Sequence, residues 1–129
     1  MKGQITIEYM VLSLVVLALL AISITTLIQV QKSSVQAMDN VMFRKSALDL
    51  HSTIEEACAL GAGNQRTVHL ARSFELTLDR GSRKLFFKNG STEMAVDLLC
   101  PLDVTAVNPL SGDVIVLNED GDRIKVEKR

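Results

Sequence analysis

Tryptophan is absent from this 129-residue chain, and aromatic residues make up only 4% of it. A platform for stacking bases or sugars is therefore not expected. Neither charge sign is in excess: 14 Lys and Arg face 15 Asp and Glu, for a formal net charge of -1. That leaves no basic field for nucleic acid, which is excluded as a partner. Seven glycines and two prolines rule out a collagenous or low-complexity chain. The two cysteines, Cys58 and Cys100, have no third and fourth ligand spaced nearby, so no zinc site is expected. The chain also lacks a P-loop, a Gly-rich nucleotide fingerprint, an H-E-x-x-H and a G-x-S-x-G. With His51 and His69 isolated in sequence and read as surface or rim residues, no enzyme and no cofactor are expected. The acidic stretch Asn118 to Asp122 lacks the spacing and terminal Glu of a calcium loop and reads as a solvated turn.

Charge is missing altogether from one long stretch. Tyr9 to Gln31 is 23 residues without Asp, Glu, Lys or Arg. Read as a helix, Ile5–Ile28 is roughly 36 Å long, enough to cross a hydrocarbon core of roughly 30 Å. Its polar interruptions are Ser13, Ser23, Thr25 and Thr26, whose hydroxyls can bond back to helix carbonyls. The run is too long for the apolar core of a secretory signal, the segment before it is short, and no A-x-A-like site follows it. The segment is therefore expected to stay in the mature protein. Lys2 before the span and Lys32, Arg44 and Lys45 after it do not decide its orientation. The cysteines and a glycosylation sequon favour a C-terminal part outside the cell.

Glu8 stands among Ile5, Ile7, Tyr9 and Met10 at the start of this run. A carboxylate near hydrocarbon is costly and usually has a partner, although a headgroup-level position would cost little. Around it, Gly3 is followed by Gln4, Thr6, Glu8 and Leu12, with Lys2 before and Tyr9 after Glu8. This stretch resembles the processing site of archaeal type IV prepilins with class III signal peptides: a short basic leader, a glycine, then Q-x-S/T-x-E-x-x-x-L opening a long apolar helix. Thr6 replaces the more usual Ser. The resemblance covers about the first 30 residues. It implies cleavage between Gly3 and Gln4 by a membrane aspartyl prepilin peptidase. It further implies membrane storage of the precursor, help from an assembly ATPase and a platform protein, and packing of identical subunits into a filament core. In such a stack Glu8 can lie level with the new α-amino group of a neighbour, a pair that sets register more surely than it adds stability. A glycine suits the scissile position because it permits extended backbone.

Beyond the apolar run no Pro or Gly occurs until Gly61. Apolar residues recur at Val35, Met38, Val41, Met42, Leu48, Ile54, Ala57 and Cys58, close to helical spacing. One helix over about 5–60 is expected, with these residues turned to a small domain; the alternative is a break near 31–34. Gly61 and Gly63 read as the stop. From there the period becomes two. Strands are expected over 67–71, 74–78, 85–87, 94–98, 104–107, 114–117 and 123–126. Asn89-Gly90 signals a two-residue hairpin, and 108–112 and 118–122 read as turns. The fold class is α+β: a long N-terminal hydrophobic helix packed on a small C-terminal antiparallel sheet. The chain divides into a leader over 1–3, an apolar helix over 4–30, its amphipathic continuation over 31–60, and an extracellular β domain over 61–129.

Cys58 and Cys100 can bridge the end of the helix to the strand before Pro101, or remain two buried thiols. A bridge closing about 43 residues would contribute roughly 4 kcal/mol in the chain-entropy model. Asn89-Gly90-Ser91 is an N-x-S/T sequon, although the turn alone explains an Asn-Gly there. With these readings beside it, the resemblance implies a structural subunit of an archaeal type IV-like pilus for surface adhesion: a single-pass membrane precursor whose mature form stands in an extracellular filament. Its rivals are a minor pilin or pseudopilin and a membrane-anchored binding module that never polymerises.

Overall fold

The computed structural model describes residues 2–129, with side chains from Gly3 onward. Helix α1 runs unbroken over Lys2–Leu60, so the alternative break near 31–34 does not occur. Six strands follow: β1 (Gln65–Asp79), β2 (Lys84–Asn89), β3 (Thr92–Asp97), β4 (Asp103–Ala106), β5 (Leu110–Asn118) and β6 (Arg123–Lys128). The chain divides into two compact units after Met38. The first is helix alone. The second, Asp39–Arg129, holds the rest of α1 and the whole sheet.

The sheet order is β3-β2-β1-β5-β6-β4. The two predicted strands over 67–71 and 74–78 are one long strand, β1. It pairs with β5 over its first part and with β2 from Glu75 to Asp79, both antiparallel. The register shifts between Leu70 and Phe74, a bulge that keeps the chain extended while re-aiming it. The alternation breaks there, which is why the sequence reads as two strands. The antiparallel expectation holds except at one place: β4 pairs parallel with β6. The turn predicted over 108–112 ends sooner, since β5 already begins at Leu110 and carries Gly112 at φ +67 within it. In the β2–β3 hairpin Asn89 pairs with Thr92, so the two turn residues are Gly90 and Ser91, not Asn89 and Gly90. Gly90 has φ +58 and Ser91 does not have positive φ, the pattern of a type II′ turn with Gly first.

The predicted helix stripe is corrected. Phe43, Ala47, Leu50, Ile54 and Ala57 are the buried apolar residues of α1, all within 4% exposure. Of the predicted set only Ile54 and Ala57 are among them, while Val35, Met38, Val41 and Leu48 are exposed. Both sets have helical spacing. The buried one is selected by the sheet: small residues at Ser46 and Ala47 let the β1 bulge approach, and the Ser46 hydroxyl accepts the Ala71 N–H at 3.1 Å. Phe43 meets Phe74, and Phe74 meets Phe87, both edge to face with centroids 6.0 and 5.5 Å apart. Leu85, Leu110, Val114, Val116 and Ile124 complete the interior from the sheet side.

Candidate processing and assembly site

Gly3, Gln4, Thr6, Glu8, Tyr9 and Leu12 all lie on the first turns of α1. Lys2 belongs to the helix, but its side chain lies outside the described residues, as does Met1 altogether. At about 100° per residue, Gln4, Glu8 and Leu12 follow one another up a single face, whereas Thr6 points to the opposite side and Tyr9 to a flank. The motif is thus a linear signal on which one helix face carries the amide, the carboxylate and the leucine. Glu8 is exposed and makes no ion pair among the described residues.

Gly3 and Gln4 are helical, not the extended pair that a protease cleft would hold. That turn is nevertheless the easiest to open. The first four N–H groups of any helix have no intrahelical partner, and glycine weakens a helix by about 0.5–1 kcal/mol relative to alanine. A Cβ at Gly3 would meet nothing within 4 Å, so no packing among the described residues requires the glycine.

Above the motif the helix is apolar on every side. Leu12 is 64% exposed and Leu17 63%, and the other large apolar residues from Ile5 to Val30 are similarly open. The hydroxyls behave as expected: Ser13 donates to the Met10 carbonyl, Ser23 to Leu19, and Thr25 and Thr26 both to Ile22, at 2.8–2.9 Å. These four hydroxyls therefore need no water, and the helix is long and apolar enough to cross a membrane. Exposed on all sides within one chain, it requires lipid or other helices as its surroundings.

Residues 2–27 match the class III signal peptide family. No curated protein and no solved structure matches the chain. The match ends within the apolar run, so the fold of the rest rests on the structure alone. A class III signal peptide supports a type IV pilin-like or pseudopilin precursor. It implies processing by a prepilin peptidase and assembly into a filament in general terms, and with the apolar helix it fits a membrane-anchored precursor.

The remaining predicted residues lie in the second unit. Cys58 and Cys100 form a disulfide with Cα atoms 6.0 Å apart, so neither is a free thiol. It ties the helix to the irregular segment that follows β3. Three further groups hold that segment or the end of β3 just before it, and the sequence singled out none of them for the purpose. His51 Nε2–H donates to the Asp97 carbonyl at 2.9 Å, Glu55 accepts the Leu99 N–H at 2.7 Å, and the Arg83 guanidinium donates to the carbonyls of Cys100 and Leu102. His51, Glu55 and Cys58 follow at i, i+4 and i+7, a spacing legible in the sequence, but nothing in the sequence names their partners. His69 faces Asp113 at 2.8 Å across the β1–β5 pair. Asn89 ends β2 at the exposed hairpin tip, with Ser91 of its sequon also exposed.

Proposed function

We propose that this chain is a structural subunit of an archaeal type IV-like pilus, cut after Gly3 by a prepilin peptidase and polymerised through α1 for surface adhesion. One observation carries the reading: the class III signal peptide sits on a continuous helix whose large apolar residues from Ile5 to Val30 find no cover among the described residues. Removal of the leader leaves Gln4 as the N-terminus and Glu8 as the carboxylate nearest to it. Once the helix leaves lipid, identical helices supply the apolar surroundings it requires. A neighbour's α-amino group supplies the partner that Glu8 lacks among the described residues, in a medium where an unpaired charge is costly. In this reading the protein is structural and non-enzymatic. Its partners are copies of itself, the peptidase, an assembly ATPase and a platform protein, and its β domain stands outside the cell. The exposed sequon at Asn89 then lies where a glycan can be attached.

The same signal also supports a minor pilin or pseudopilin, and abundance separates the two: a major subunit is the dominant band of purified surface filaments, a minor one a trace. Mass spectrometry of shed filaments is expected to find a chain beginning at Gln4. A chain retaining Met1, or absent from filaments, overturns the proposal. Glu8→Ala is expected to leave cleavage intact by the same measurement and to reduce filament number severely in electron micrographs. Normal filament numbers would remove Glu8 from assembly.

A further inference from the structure

Five asparagines occur in the chain, and the structure treats one of them differently from the rest. Asn64 donates to the carbonyls of Leu60 and Gly61. Asn108 holds both the N–H and the C=O of Leu76. Asn118 is fully buried, donating to Ala57 O and accepting from Gly121 N–H. Asn40 sits in the helix and is followed by the β-branched Val41. Asn89 is exposed, its carboxamide makes no hydrogen bond among the described residues, and the next residue is Gly90. Gly90 has φ +58, and a Cβ built there would meet nothing within 4 Å.

We infer that Asn89 is a selective site of spontaneous deamidation. The Gly90 backbone nitrogen, deprotonated by hydroxide, attacks Asn89 Cγ. The new N–Cγ bond closes a five-membered succinimide as the Cγ–Nδ2 bond breaks, and Nδ2 takes a proton from water and leaves as ammonia, which regenerates the hydroxide. Water is the co-reactant that then opens the ring. Attack at one carbonyl gives aspartate. Attack at the other gives isoaspartate, in which the main chain runs through Cβ. Ring closure needs the residue-90 nitrogen to swing toward a free side chain, which glycine permits and a side chain at that position obstructs. The hairpin tip is where local opening is easiest. The other asparagines are excluded either by the hydrogen bonds that hold their carboxamides or by the helix.

Two consequences follow from the place of Asn89 in the fold. Either product puts a negative charge beside Lys88 at the tip. Isoaspartate also adds one main-chain atom next to a two-residue turn, which breaks the Asn89–Thr92 register. Deamidation removes the same Nδ2 that a glycan would occupy, so the two fates of Asn89 exclude each other. The inference does not depend on the filament reading.

The test uses the full chain, made in a host without N-glycosylation and kept folded in detergent micelles at mildly alkaline pH. Peptide mapping over time is expected to show amide-to-acid conversion and an isoaspartyl species at Asn89, with Asn40, Asn64, Asn108 and Asn118 unchanged. Gly90→Ala is expected to slow the conversion in the urea-unfolded chain, where the strain that a side chain would meet at φ +58 in the folded turn is absent. A urea-unfolded sample of the unaltered chain serves as reference. If Asn89 converts when unfolded but not when folded, or if the other asparagines convert alongside it, the inference is overturned.

Discussion

Asn118 reads in the sequence as one polar residue in an acidic turn, yet it is fully buried and joins three parts of the second unit. Its side chain caps the helix at Ala57 O (3.2 Å) and orders the following turn through Gly121 N–H (3.0 Å). Its main chain bonds Gly63 and Asn64, just before β1. Asn118→Ala leaves the side chain's two partners unsatisfied and is expected to cost about 2 kcal/mol. Chemical denaturation of the full chain in micelles checks it. Asp79 shows the opposite case, a polar group whose surroundings are visible from sequence spacing. The Ser82 hydroxyl, then the Gly81 N–H, hold its carboxyl below the ordinary range at the β1–β2 turn. A lowered carboxyl contributes stability that is present above its unfolded pKa and lost as pH falls through the folded one. Ser82→Ala is expected to raise the Asp79 pKa toward its ordinary value, as read by NMR titration of the side-chain carbonyl, and to shift this local acid transition to higher pH.

Among the elements, α1 was the most legible and its inner face the least. Length, the absence of Gly and Pro, and the two glycines after Leu60 are local signals, and the helix starts and stops close to where they place it. Which stripe faces the sheet is not a local matter. The helix carries apolar residues at two phases, and only the phase of Phe43, Ala47 and Leu50 matches the shape of the bulged β1. Leu50→Ala is therefore expected to cost about 2–5 kcal/mol, as for a fully buried leucine, whereas Leu48→Ala is expected to stay within about 0.5 kcal/mol, as for a surface change. Comparing their denaturation midpoints tests the assignment directly. In β1, alternation identified both halves but not their continuity, because a bulge erases the period of two where it occurs. At the hairpin, Asn-Gly marked the turn correctly and its register by one residue wrongly. The two-residue loop starts at the residue that must take positive φ first, which is Gly90.

Taken whole, the second unit is small, and its core is sealed by a bond between residues 42 apart in sequence. The Cys58–Cys100 bridge is expected to contribute roughly 4 kcal/mol. Reduction should lower the denaturation midpoint by a corresponding amount without releasing the segment after β3, because Glu55 and Arg83 hold it independently. Hydrogen exchange at Leu99, whose N–H bonds Glu55, separates the two effects: protection should persist in the reduced protein.

The sequence alone determined the signal motif from Lys2 to Leu12, the continuous apolar helix, the α+β class and most strand positions, because each depends on neighbours within a turn or two, or on the requirement of hydrocarbon for a helix without open polar groups. Tertiary structure decided the buried face of α1, the parallel β4–β6 pair, the pairing of the cysteines, and the structural roles of Ser46, Asn108 and Asn118. In each of these a residue's surroundings come from chain that is distant in sequence, and only closure of the core brings donor to acceptor and ring to ring.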